Sequence, residues 1–249
     1  MSLIKDYVTS KILSLIKSWK RPNFDFSQLG EEKIIINIIQ RIASKHRIKQ
    51  HYIDIGGFNP ILYSNTYKLY QQNWCGVIVE PSTDKTKNWH RIRPRDFVIN
   101  SAIVTNEYSE EKIKIYFKEK NAANETALPD IDKKNLSYYE AKTIKLSEVL
   151  TACEKKFSKP FFLNMDIEGA EEKLVFKFKN INYKIPLICV EIFLGKNEDN
   201  YSVLNYKNIE AVTFLENHGY YLVSVCGPSL IFCDKEIWMP FSKLKNNQF

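Results

Sequence analysis

The chain is poor in the residues that mark several classes of protein. Only six of its 36 basic residues are Arg. The planar guanidinium leads in reading bases and phosphates, so the shortage argues against a DNA-reading protein. The five cysteines, Cys75, Cys153, Cys189, Cys226 and Cys233, form no CxxC pair. That spacing excludes a zinc ribbon and a disulfide framework, and the thiols are expected to be reduced and mostly buried. Eight Gly and nine Pro in 249 residues exclude collagen and low-complexity linkers. No apolar run approaches the ~20 residues that cross a bilayer. What is present is a globular composition, 44% hydrophobic and 13% aromatic, in a length that suits one domain with appendages. A net charge of +7 favours acidic partners in general and identifies none.

Asp6, Lys11 and Lys17 interrupt the place a signal-peptide core would occupy, so the protein is expected in the cytoplasm. Ile4, Val8, Ile12, Leu15 and Trp19 fall at helical spacing, with Lys5, Lys11 and Lys17 off the stripe. Two readings stand here. The helix packs its stripe on the main domain, or it lies as a basic amphipathic helix on an anionic inner membrane face or a partner. A second helix is predicted over 31–45, with Glu31 and Glu32 against its dipole and Ile35, Ile38, Ile39 and Ile42 as its apolar face. Residues 1–48 are thus read as a helical extension and 49–249 as the main domain.

Beyond residue 50 the period changes. Apolar runs at 51–55, 77–80, 97–104, 161–165 and 187–192 are separated by helical stretches, the pattern of buried parallel strands in an α/β sheet. Runs at 220–226 and 229–233 are separated only by Gly227-Pro228, too short for a crossover, so they are predicted to form an antiparallel hairpin at the edge. The stretch Lys112–Phe117 alternates, and about 24 residues pass before 143–146 resumes a strand pattern. A loop that long is usually functional or disordered.

Three strand ends carry chemistry. The run Tyr52-Ile53-Asp54-Ile55-Gly56-Gly57-Phe58-Asn59-Pro60 is a strand ending in an acid and a glycine turn. Ligands of open α/β sheets bind beyond the carboxyl ends of the strands, and glycines let backbone approach them. It is neither GxGxxG nor GxxxxGK[ST]. The next strand ends in Glu80-Pro81, where a carboxylate could accept from a pair of ribose hydroxyls, or simply precede a helix over 82–92. Asn164-Met165-Asp166-Ile167-Glu168-Gly169-Ala170-Glu171 then brings three carboxylates to the rim of the same cleft, with Glu171 also readable as dipole compensation.

Together with Ser64-Asn65-Thr66-Tyr67 and Arg93-Pro94-Arg95-Asp96, these segments resemble the FkbM family of S-adenosylmethionine-dependent methyltransferases over about residues 50–192. The resemblance implies a Rossmann-like, doubly wound, seven-stranded α/β sheet, mostly parallel, and makes 49–249 the methyltransferase domain. It implies that Asp54, Gly56 and Gly57 surround the methionine part of the cofactor and that Glu80 meets its ribose, with Asn59 and Pro81 also among the cofactor-binding residues. Ser101 and Ala102 would flank the adenine, and Ser64 and Thr66 would sit near the carboxylate tail. Gly57 stands where the family often has Ala, a difference expected to be harmless.

Methyl transfer to a hydroxyl needs a base. His46, His51, His90 and His218 are all poorly placed for it, which leaves Asp166, Glu168 and Glu191 as the expected catalytic carboxylates. A metal-free site is the expectation. A magnesium-like ion at Asp166 and Glu191 is the alternative. The basic run Lys85, Lys87, Arg91, Arg93 and Arg95, with Trp89 and His90, is read as a solvated helix face ahead of an anionic-glycan surface. The expected substrate is a sugar hydroxyl of a surface glycan or its precursor. A small natural product and a non-catalytic adaptor role in glycan assembly are the alternatives. No nucleic-acid partner is expected, because residues 165–169 read MDIEG where base methyltransferases carry Asp/Asn-Pro-Pro-Tyr.

Overall fold

The computed structural model describes residues 25–118, 136–167, 169–193, 203–206 and 209–238. The apolar stripe of residues 4–19, the segment 119–135 and Glu168 lie outside them.

In chain order the helices are α1 (Glu31–Ala43), α2 (Tyr67–Gln71), α3 (Thr83–Ile92), α4 (Leu146–Lys156), α5 (Glu171–Val175), α6 (Val203–Tyr206) and α7 (Glu210–Asn217). The strands are β1 (His51–Ile55), β2 (Cys75–Val79), β3 (Phe97–Ile99), β4 (Ala102–Val104), β5 (Lys112–Phe117), β6 (Ser137–Lys145), β7 (Phe162–Met165), β8 (Leu187–Glu191), β9 (Tyr220–Cys226) and β10 (Ser229–Asp234). Seven strands make one sheet in the order β3-β2-β1-β7-β8-β10-β9. This is the Rossmann-like architecture expected. The order reverses between β1 and β7, which makes that boundary the switch point.

The strands are apolar on both faces because both faces are covered. Ile53, Ile55, Val77, Val79, Leu163, Met165, Ile188 and Val190 pack with α4, α5 and α7. Tyr52, Ile78, Phe162, Cys189 and Ile231 point the other way, onto Trp74, Trp89 and the isoleucines of α1. So α1, grouped by its sequence with the extension, is a covering helix of the sheet. All five cysteines are free, and all but Cys75 are buried.

Two details differ from the sequence reading. The predicted strand over 97–104 is two strands, β3 in the main sheet and β4 in a second sheet of order β4-β6-β5. The break lies at Asn100, whose Nδ2 donates to the carbonyls of Glu80 (3.0 Å) and Pro81 (2.9 Å) and turns the chain away. The long loop ends earlier than expected, because 137–141 belong to β6, which pairs antiparallel with β5. The hairpin of β9 and β10 lies at the edge as expected, and in a detail the sequence reading left unstated its reversed strand β10 is the inner one, between β8 and β9.

Candidate active site

The glycine turn after β1 is held from three sides. Gly56 has φ 86°, and a Cβ there would lie 1.6 Å from the Asp166 carbonyl oxygen, so no side chain fits. The Gly56 and Gly57 amides donate to the Val79 carbonyl at 2.9 and 3.3 Å, which sets the turn beside Glu80. At Gly57 a Cβ would meet Ile78 at 2.5 Å and Trp89 at 2.9 Å, and the Trp89 indole N–H donates to the Gly57 carbonyl. The Gly that stands here in place of the family's usual Ala therefore suits this chain's packing. Asn59 stays within the turn, its Oδ1 accepting from the amides of Ile61 (2.9 Å) and Leu62 (3.0 Å).

Beneath the turn lies a buried polar network whose centre the sequence reading placed on the surface. Arg93 is fully buried, and its Nε donates to Asp96 Oδ2 at 2.7 Å. Asp96 also accepts from the Tyr52 hydroxyl at 2.8 Å and the Gly76 amide at 2.9 Å. Burial works against the guanidinium's charge, but Tyr52, Asp96 and Asp54 outweigh it and hold the Arg93 pKa above its usual value. Arg93 further donates to Ser64 Oγ (3.3 Å) and Thr66 Oγ1 (3.1 Å), and Thr66 Oγ1 donates to Asp54 Oδ2 at 2.5 Å. Asp54 takes a second bond from Asn164 Nδ2 at 2.9 Å across the switch point, and burial pushes its carboxyl pKa up. Asp54, Ser64 and Thr66 are thus committed to one another and to Arg93. The basic run divides: Lys85, Trp89 and Arg93 turn inward, while Lys87, His90, Arg91 and Arg95 are exposed.

Glu80 is buried just past β2, with Oε1 accepting the Ser82 amide at 2.7 Å. Ser82 Oγ in turn caps α3 through the Lys85 amide at 3.4 Å. Pro81 is half-buried beside it, while Ser101 is buried in the turn before β4 and Ala102 is buried as the first residue of that strand.

Asp166 and Glu191 end neighbouring parallel strands, in register through Met165 and Val190. Burial raises the Asp166 pKa, and Glu191 hydrogen-bonds its carboxyl. Glu171 is not a third cleft carboxylate. Its Oε1 and Oε2 accept from the amides of Ile167 (2.7 Å) and Gly169 (2.8 Å) and so clamp the turn after Asp166. Burial lifts its pKa to about 7 despite those bonds.

The four histidines stay away from the strand tips. His51 opens β1 and stacks on Phe157, while His46, His90 and His218 are exposed. Among the described residues no three His, Cys, Asp or Glu side chains form a group that could hold a metal ion.

The family model for the Methyltransferase FkbM domain matches residues 54–222. The chain is an FkbM methyltransferase. The FkbM match opens at Asp54 and takes in the glycine turn, Glu80, Arg93, Asp96, Asp166 and Glu191. A search of curated proteins finds no match. Among the described residues of this FkbM methyltransferase, no helix is long and apolar enough to cross a membrane. Besides the expected positions, the site uses Tyr52, Asn65, Arg93, Asp96 and Asn164. In the sequence these residues stood inside the segments that carry the family resemblance, with no sign that they form one buried network.

Proposed function

We propose that the protein is an S-adenosylmethionine-dependent O-methyltransferase. Its proposed substrate is a sugar hydroxyl of a surface polysaccharide or its precursor, and its proposed place the cytoplasm, near the inner membrane face. The observation that carries this reading is the pair of carboxyls Asp166 and Glu191, at adjacent strand tips on the switch-point side of the glycine turn. A hydroxyl, unlike an amine, has no lone pair basic enough to react without giving up its proton, and this pair is a base for it.

The residues fit the cofactor. Gly56 lets the turn after β1 pack directly on the Asp166 backbone, where a Cβ would collide, and Glu80 holds a buried carboxyl just past β2. Gly56, Gly57 and Asn59 would shape the methionine end, Glu80 and Pro81 the ribose, and Ser101 and Ala102 the adenine. Asp54, Ser64 and Thr66 support that surface from below through Arg93. When bound, the cofactor supplies the electrophilic methyl carbon.

The chain's own part is to orient the acceptor and move its proton. The Asp166 carboxylate, beside Glu191 at the next strand tip, takes the hydroxyl proton. Burial raises the Asp166 pKa, which makes this carboxylate a stronger base than a solvated one. The Glu171 clamp fixes the turn that carries Asp166. Mass spectrometry of surface glycans from cells with and without the gene tests this reading. A methyl increment on a sugar oxygen that vanishes with the gene supports it, and identical glycans contradict it.

A further inference from the structure

Asn65 carries a buried acceptor that lacks a donor. The residue is nine-tenths buried, and its Oδ1 is closed off from water with no hydrogen-bond partner. Which end of the amide this is follows from the bonds that begin at Arg93. The guanidinium donates to Thr66 Oγ1 from both Nη1 and Nη2 at 3.1 Å, so the Thr66 hydroxyl proton goes to Asp54 Oδ2. Asp54 accepts, so the Asn164 atom 2.9 Å from Asp54 Oδ1 is the amide nitrogen. Asn164 Oδ1 then faces Asn65, whose contact atom at 2.9 Å must be Nδ2. Every proton in this chain points toward Asp54, and the far end is a carbonyl oxygen that can only accept.

Asn65 also stands where a ligand belongs. It bonds to β7 two residues before Asp166, and its Nδ2 lies 3.9 Å from Cys189 Sγ on β8, two residues before Glu191. The surroundings are acidic. Burial pushes the Cys189 thiol up, and Glu31, Cys226, Asp166 and Glu191 push it further. A carbonyl acceptor amid carboxyls suits a cation bearing N–H groups and repels a carboxylate. We propose that Asn65 Oδ1 receives the α-ammonium group of the cofactor's amino-acid tail, which makes Asn65 a cofactor-binding residue that selects for the amine. This rests on the cofactor reading above.

Titration calorimetry with S-adenosylhomocysteine and with its desamino analogue separates the amine from the rest of the molecule. Asn65→Ala is expected to weaken S-adenosylhomocysteine by ~10-fold or more, because a hydrogen bond to a charged donor is lost. The desamino analogue should bind the variant within about twofold of wild type, because it never made that bond. An equal loss for both compounds, or no loss for either, overturns the assignment. If the variant fails to fold, a crystal structure of the wild type with S-adenosylhomocysteine decides. An amine nitrogen within ~3.2 Å of Asn65 Oδ1 supports the assignment, and an amine placed elsewhere overturns it. A wild type that binds neither compound overturns the cofactor reading and this inference with it.

Discussion

Arg93→Met removes a buried positive charge while keeping most of the side chain's length. The guanidinium lies 4.4 Å from the Trp89 ring centroid, 5.0 Å from Tyr70 and 5.4 Å from Tyr52, with the Asp96 carboxylate 2.7 Å away. Met fills the aromatic slot but leaves Asp96 buried, with only the Tyr52 hydroxyl and the Gly76 amide as donors. Breaking one side of a buried pair costs ~3–5 kcal/mol, mostly the uncompensated charge left behind. A chain of this size loses ~2–4 °C of Tm per kcal/mol, so scanning calorimetry should find a drop of ~6–20 °C. Combining Arg93→Met with Asp96→Asn should cost less than the two single changes together, since the second removes the stranded charge. A variant melting within ~2 °C of wild type would refute the view that this pair anchors the site.

Glu80→Ala should weaken S-adenosylhomocysteine by ~1–3 kcal/mol in calorimetry, from the loss of a charged acceptor, and an unchanged affinity would remove Glu80 from the ribose. Gly57→Ala should destabilise the fold by ~1–3 kcal/mol through overpacking against Ile78 and Trp89, and shift the tryptophan emission. Burial raises the Glu32 pKa to about 7 from 4.5, so its contribution to stability is full below about 4.5 and is lost as pH rises through about 7. Glu32→Gln should therefore gain more in Tm over wild type at pH 8 than at pH 5, and an equal shift at both would contradict that.

The main sheet was legible because each central strand is a continuous apolar run, and both faces of those runs are buried. The break at Asn100 was not legible. It depends on side-chain bonds to carbonyls some twenty residues away, while the run itself stays apolar through Val104. The start of β6 was hidden for a related reason, since Ser137, Tyr138 and Glu140 become a strand only by pairing with Phe117, Tyr116 and Lys114. In the site, the strand-tip acids could be found because a carboxylate after an apolar run stands out. The burial of Arg93 could not, because a guanidinium inside a basic run looks solvated until three aromatic rings close around it. Asn65 and Asn164 are 99 residues apart and meet only through the crossover.

The most direct test of the account is methyl transfer from labelled S-adenosylmethionine to glycan isolated from cells lacking the gene, with wild type and Asp166→Asn side by side. Label on a sugar oxygen is the expected result. So is a rate ~10²-fold lower for the variant, the scale of a lost general base, at cofactor affinity within a few-fold of wild type. Label on nitrogen, or a variant that transfers at the wild-type rate, would contradict it.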